Sequence, residues 1–132
     1  MLINSTDKND KIVIGLLSYT YSEDVPSIDQ IKKLIEEYRA NPDQHIFLYK
    51  EDDGDNYIGL IAVGMSRSED QADPNLTINV QRVAVVPSFR NEGVGYRMFE
   101  SLKDRYPNSP IIGTMDNVDL VLKWTNQYNQ KH

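Results

Sequence analysis

Apolar residues fall in short blocks between polar, proline- and glycine-bearing breaks, and the period within each block changes along the chain. From Lys11 to Tyr19, Ile12, Leu16 and Tyr19 stand at helical spacing with Val13 and Leu17 beside them, which predicts a helix although Ile12-Val13-Ile14 also suits a strand. Ser27 followed by Gln30 is a capping-box pair, and Ile28, Ile31, Ile35 and Tyr38, flanked by Leu34, then repeat on one face. This predicts an amphipathic helix that ends near Asn41-Pro42. His45 to Tyr49 and Tyr57 to Met65 are β-branched and aromatic runs on either side of Glu51-Asp52-Asp53-Gly54-Asp55, where Asp-Gly signals a hairpin. They are expected to be antiparallel strands.

A polar loop, Ser66 to Asn75, leads to a third strand from Leu76 to Val86 whose alternation slips. Ile78 and Val80 share one phase and Val83 and Val85 the other, so one extra residue near Gln81-Arg82 would bring all four to the same face. A β-bulge is therefore predicted. Gly93 to Tyr106 follows as a helix with Val94, Met98, Phe99 and Leu102 inward, stopped by Pro107-Asn108. Pro110 to Thr114 suits a short buried strand, and Asn117 to Asn129 a last helix facing inward through Leu120, Val121 and Trp124. The order is helix, helix, three strands, helix, strand, helix. It implies an α+β fold, an α/β sandwich with a mostly antiparallel sheet to which the final strand adds one parallel neighbour.

Length and charge narrow the picture. At 132 residues the chain suits one domain, residues 1–132, with a real core. A net charge of −6 argues against a general binder of nucleic acid or anionic membrane. With no cysteine and only His45 and His132, thiolate chemistry and a histidine-rich metal centre are excluded, and no metal is expected. Met1-Leu2-Ile3 feeds no long apolar stretch and no run approaches about 18 apolar residues, so a soluble cytoplasmic protein is expected. Charge is unevenly spread: residues 80–105 carry net +2, residues 21–79 net −8. A basic corner beside an acidic body would suit an anionic cofactor and a cationic amine, although a merely solvated acidic surface explains Glu51 to Asp55 and Glu69 to Asp73 as well.

The segment Val83-Ala84-Val85-Val86-Pro87-Ser88-Phe89-Arg90-Asn91-Glu92-Gly93-Val94-Gly95-Tyr96 carries the chemistry. A strand enters a turn holding a basic residue, and two glycines one residue apart open a helix, whose free amides and dipole suit phosphate oxygens. It lacks the Gly-Lys-Ser/Thr of a P-loop and the third glycine of a dinucleotide fingerprint. By itself Gly-x-Gly also fits a turn that merely needs small residues.

With its flanks, the segment resembles the GCN5-related N-acetyltransferase (GNAT) family, whose motif is Arg/Gln-x-x-Gly-x-Gly/Ala after a strand ending Val-x-Pro-x-Tyr/Phe. Val85, Pro87, Phe89, Arg90, Gly93 and Gly95 fall in that register. Lys11-Ile12 to Gly15-Leu16-Leu17-Ser18-Tyr19 and Gln44-His45-Ile46-Phe47-Leu48-Tyr49-Lys50-Glu51 further resemble the short RibT-type members associated with riboflavin-biosynthesis genes. The resemblance implies the GNAT fold with helices on both sheet faces, here without the usual two C-terminal strands. It implies acetyl-CoA as cosubstrate and a small amine as acceptor. Pantetheine would run along Val83, Ala84 and Val85; the pyrophosphate would meet the amides of Asn91, Gly93, Val94, Gly95 and Tyr96 beside Arg90, with Asn117 and Trp124 completing the cofactor site.

The chain departs from the family pattern at the acid and the base. Asn79 and Gln81 stand where a Glu is usual, and Trp124 stands where a tyrosine, seven residues after Asn117, usually protonates the leaving thiolate. Tyr128, one turn on, is the candidate proton donor, with Tyr96 a second; both also suit ring packing. Few residues follow the last helix, so the last strand is expected to keep an open edge that a homodimer would cover. An N-acetyltransferase, an acetyl-CoA-binding regulatory or scaffold protein, and an interaction domain without a CoA site all remain open at this point.

Overall fold

Two apolar clusters on opposite faces of one sheet explain the alternating patterns. The computed structural model describes residues 1–67 and 76–132. Along the chain run β1 (Leu2–Asn4), α1 (Asp10–Ser18), α2 (Ile28–Ala40), β2 (Gln44–Tyr49), β3 (Gly59–Arg67), β4 (Leu76–Val85), α3 (Val94–Arg105), β5 (Ile111–Gly113) and α4 (Val118–Lys131). The strands lie side by side in chain order, antiparallel except for the parallel pair β4 and β5. On one face α1 and α2 bury Val13, Leu17, Ile31 and Ile35 against Ile46, Leu48, Leu60, Ala62 and Ala84. On the other, α3 and α4 bury Met98, Phe99, Leu102, Val121 and Trp124 against Phe47, Ile61, Val63, Ile78 and Val80.

The bulge falls where the slipped alternation puts it. Ala62 of β3 pairs with Arg82 and Val63 with Val80, which leaves Gln81 as the extra residue. The phase of β4 therefore changes, and Val83 and Val85 pack on the same cluster as Ile78 and Val80. Helix α2 begins as its capping box requires: Ser27 Oγ accepts from the Gln30 amide and Gln30 Oε1 accepts from the Ser27 amide.

Four expectations need correction. Strand β1 was not anticipated; Leu2 to Asn4 pair with Tyr49 to Phe47, and three residues are too few to display a period. Ile28 is exposed because the first turn of α2 lies before the helix reaches the sheet. Leu120 is not a core residue but is more than a third exposed. Ser66 and Arg67, expected in a loop, extend β3, and the remainder of that loop, residues 68–75, lies outside the described residues.

Candidate active site

The bulge divides β4 into two halves with different neighbours. Before it, Ile78, Asn79 and Val80 pair with Ile111, Ile112 and Gly113 of β5. Beyond it β5 has ended, while β4 continues along β3 to Val85. The Val86 amide donates to Ile58 O at 2.9 Å, which fixes the phase of the backbone. Ala84 and Val86 thus turn their backbone groups toward β3, and Val83 and Val85 turn theirs the opposite way, into the space that β5 no longer fills. A strand edge of this kind takes an extended ligand with amide groups.

That edge opens on a cleft of about 420 Å³. Its walls are Val83 and Val85 of β4, the turn from Phe89 to Gly95 with Tyr96, and Leu120, Lys123, Trp124 and Gln127 of α4. Those four α4 residues repeat at i, i+3, i+4 and i+7, one helical face, so Leu120 faces the cleft because the helix leaves the core there. Lys123 and Gln127 were missed in the sequence; their spacing from Trp124 was the available signal.

Two glycines shape the cleft floor for different reasons. Gly93 caps α3 at φ +78°, a left-handed conformation that costs other L residues roughly 1–2 kcal/mol. Asn91 is also left-handed at φ 66°, and the two bends lead the chain into α3, whose first amides have no partner within the helix. Gly95 is required by packing, since a Cβ there would stand 2.8 Å from Cζ2 of Trp124. Trp124 itself is buried against Phe99, ring centroids 5.8 Å apart. Arg90 donates from Nε to Val85 O at 3.2 Å, and its guanidinium lies over the Tyr19 ring.

Of the residues expected to contact the cofactor, Val83, Val85, Arg90, Asn91, Gly93, Val94, Gly95, Tyr96 and Trp124 converge on this cleft. Ala84 turns its side chain to the opposite cluster. Asn117 acts from behind: its Nδ2 donates to Gln81 O at 3.0 Å and Thr114 Oγ1 at 3.1 Å, tying the start of α4 to the bulge. Tyr128 lies outside the lining, edge-on to Phe99 and stacked on His132. The Tyr96 hydroxyl donates to Glu100 Oε2 at 3.2 Å, and burial followed by the Glu100 charge pushes its pKa up.

The basic corner is smaller than the composition implied. Arg97 is paired with Glu51, Arg105 donates to Leu2 O, and Lys103 donates to Ser109 O. Arg90 and Lys123 are the cations that line the cleft.

The α2 side of the bulge has its own polar cavity, about 260 Å³, lined by Asn41, Asp43, Gln44, Gly64, Met65, Ser66, Asn79 and Gln81. Oδ1 of Asn79 is buried and has no hydrogen-bond partner, and Gln81 Oε1 accepts from the Tyr38 hydroxyl. Burial raises the Tyr38 pKa, against the opposing pull of Arg82, so the phenol keeps its proton at neutral pH.

A bulged strand, a turn with left-handed residues and a helix-capping glycine meet here in one cleft, and the comparison with known sequences gives that arrangement a family. The family model described as "Acetyltransferase (GNAT) family" matches residues 12–126. The chain belongs to the GNAT acetyltransferase family. This GNAT protein is an acyltransferase, and acetyl-CoA-dependent N-acetylation is the chemistry of its family. It is 30% identical over 112 residues to an "Uncharacterized N-acetyltransferase in lysA 3'region" of Bacillus methanolicus, covering 85% of this chain and 84% of that one. Among solved structures it is similar to a probable acetyltransferase, with a TM-score of 0.76 at 13% identity over 97% of this chain and 87% of the other. Aminoglycoside N-acetyltransferase AAC(6')-Iy in complex with CoA gives a TM-score of 0.66 at 15% identity, over 97% and 84%. At such identities the structural likeness concerns the fold, which is the GNAT fold.

Among the described residues no helix is long and apolar enough to cross a membrane, and no group of three His, Asp or Glu side chains is placed to hold a metal ion.

Proposed function

We propose that this GNAT protein transfers the acetyl group of acetyl-CoA to the amine of a small molecule in the cytoplasm. The observation that carries the reading is the outward-turned edge of Val83 and Val85, running along an apolar cleft to the turn and helix start at Asn91, Gly93, Val94 and Gly95. The edge matches the amides of a pantetheine arm, the helix N-terminus and Arg90 match a pyrophosphate, and Trp124 and Leu120 supply an apolar wall.

On the other side of the bulge, the cavity bearing Asn79 and Gln81 supports an amine acceptor, because its carboxamide oxygens accept N–H bonds and Oδ1 of Asn79 needs a donor. Transfer forms a bond from the acceptor nitrogen to the acetyl carbon as the carbon–sulfur bond breaks; the nitrogen loses one proton and the thiolate gains one. Asp43 is the carboxylate lining that cavity, and we assign it the proton from nitrogen, relayed through water. A backbone amide of the outward-turned edge polarises the carbonyl. The packing of Tyr128 lends its proton-donor role no support, and solvent serves the thiolate. The RibT-type resemblance extends the proposal to an amine handled alongside riboflavin biosynthesis.

Calorimetry with acetyl-CoA tests the foundation. Binding that Arg90→Ala or Gly93→Val weakens at least tenfold is expected, and absence of heat at millimolar cofactor would overturn it. Release of free thiol with a panel of amines then separates an enzyme from a cofactor-binding regulator, a reading favoured only by the Gln and Trp at positions 81 and 124.

A further inference from the structure

Beside Gln81, the second residue of the bulge is Arg82, and its surroundings are unusual for a cation. Nη1 of Arg82 donates to Thr20 Oγ1 at 3.1 Å, and the guanidinium sits 4.8 Å from the centroid of the Tyr21 ring. The Tyr38 phenol, which holds Gln81, lies next to it. Thr20 and Tyr21 follow α1 directly, so this segment, α2 and the bulge meet around one half-buried guanidinium.

Every contact named so far is neutral. Among the described residues, ion pairs join Met1 to Asp52, Arg39 to Asp10, Arg97 to Glu51 and His132 to Glu100; Arg82 has no carboxylate partner. A guanidinium has five donors in a planar fork that matches carboxylate and phosphate oxygens, and here the fork faces the hydroxyls of Thr20 and Tyr38 while an aromatic face fixes its plane. Partial desolvation of a charge without a counter-ion is unfavourable, which makes an anionic ligand the natural complement. The position matters equally. Arg82 is adjacent in sequence to the residue that separates the two halves of β4, on the face of α1 and α2 and away from the Val83 and Val85 cleft.

We propose that Arg82, held by Thr20 and Tyr21, binds an anionic group of the acceptor, so that the substrate class is an amine that also carries a carboxylate or a phosphate. This rests on the acetyl-transfer reading and deepens it: the nitrogen lies at the Asn79 and Gln81 cavity, and the anion at Arg82.

The test is calorimetry on the full chain saturated with CoA, using three short amines as probes: phosphoethanolamine, β-alanine and propylamine. The anionic amines are expected to bind at least tenfold more tightly than propylamine, and the stronger of the two identifies phosphate or carboxylate. Arg82→Gln should remove that preference, Arg82→Lys should retain part of it, and Thr20→Val should weaken it without touching the charge. CoA affinity should stay within twofold in all three variants. Equal affinity for the three amines, no binding of any, or a preference that survives Arg82→Gln would overturn the proposal. If CoA itself fails to bind, the same amines are titrated while the Arg82 side-chain NMR signals are followed. A shift caused by the anionic amines alone then sustains the anion site while the acetyl-transfer reading falls.

Discussion

Tyr38 joins the two functions of the α2 face, since its ring lies in the core and its hydroxyl donates to Gln81. Its pKa is raised chiefly by burial, so the folded state holds the phenolic proton more tightly than the unfolded chain does. The corresponding stability is complete below about pH 10 and is lost as pH rises through the folded-state value. Tyr38→Phe is therefore expected to flatten part of the alkaline limb of a stability profile measured by urea unfolding; Tyr49 and Tyr96, also raised, leave the rest. At neutral pH the same substitution should cost about 1 kcal/mol through the lost hydrogen bond. Gly95→Ala should cost about 1–3 kcal/mol despite the better helix propensity of alanine, because Cβ would overlap Trp124. A larger drop in acetyl-CoA affinity than in stability, measured on the same variant, would locate Trp124 at the cofactor. Asp43→Asn is expected to slow thiol release at least tenfold while leaving CoA affinity unchanged, and retained turnover would remove Asp43 from the proton path.

At the scale of elements, the structure rewards patterns that are long or locally capped. Helix α2 was legible from Ser27, Gln30 and its apolar face, and Ser27→Ala should cost about 1 kcal/mol in chemical denaturation by removing one side of the box. The bulge was legible because a phase change of one residue leaves Ile78, Val80, Val83 and Val85 no other way to share a face. Strand β1 was not, since Leu2, Ile3 and Asn4 are defined by the partner they find in β2. The cleft that we propose for the cofactor was readable because Arg90, Gly93 and Gly95 fall within one short segment and shape it through the backbone. The acceptor half that we propose was hidden: Thr20, Tyr21, Tyr38, Asp43 and Arg82 come from four separate stretches, and Tyr38 presents itself in the sequence only as one more inward position of a helix.

For the whole molecule, one group of exposed apolar residues falls on the edge strand and the segments that follow it. Ile112, Met115, Val118 and Leu122, on β5, the turn after it and α4, are exposed, Met115 almost completely at 94%. We propose that a second copy covers them, and light scattering should give twice the 15.2 kDa chain mass; a single-chain mass would refute the dimer. The division of β4 at Gln81 also has a colloidal consequence. A sheet with an outward-turned stretch of backbone at Val83 and Val85 is a template for unwanted strand addition, and a pantetheine arm lying there would mask it. Shelf life then becomes a function of ligand supply: protein stored with CoA should stay clear where the same protein without it turns turbid, and the Val83 and Val85 amides should exchange with deuterium more slowly as the cofactor concentration rises.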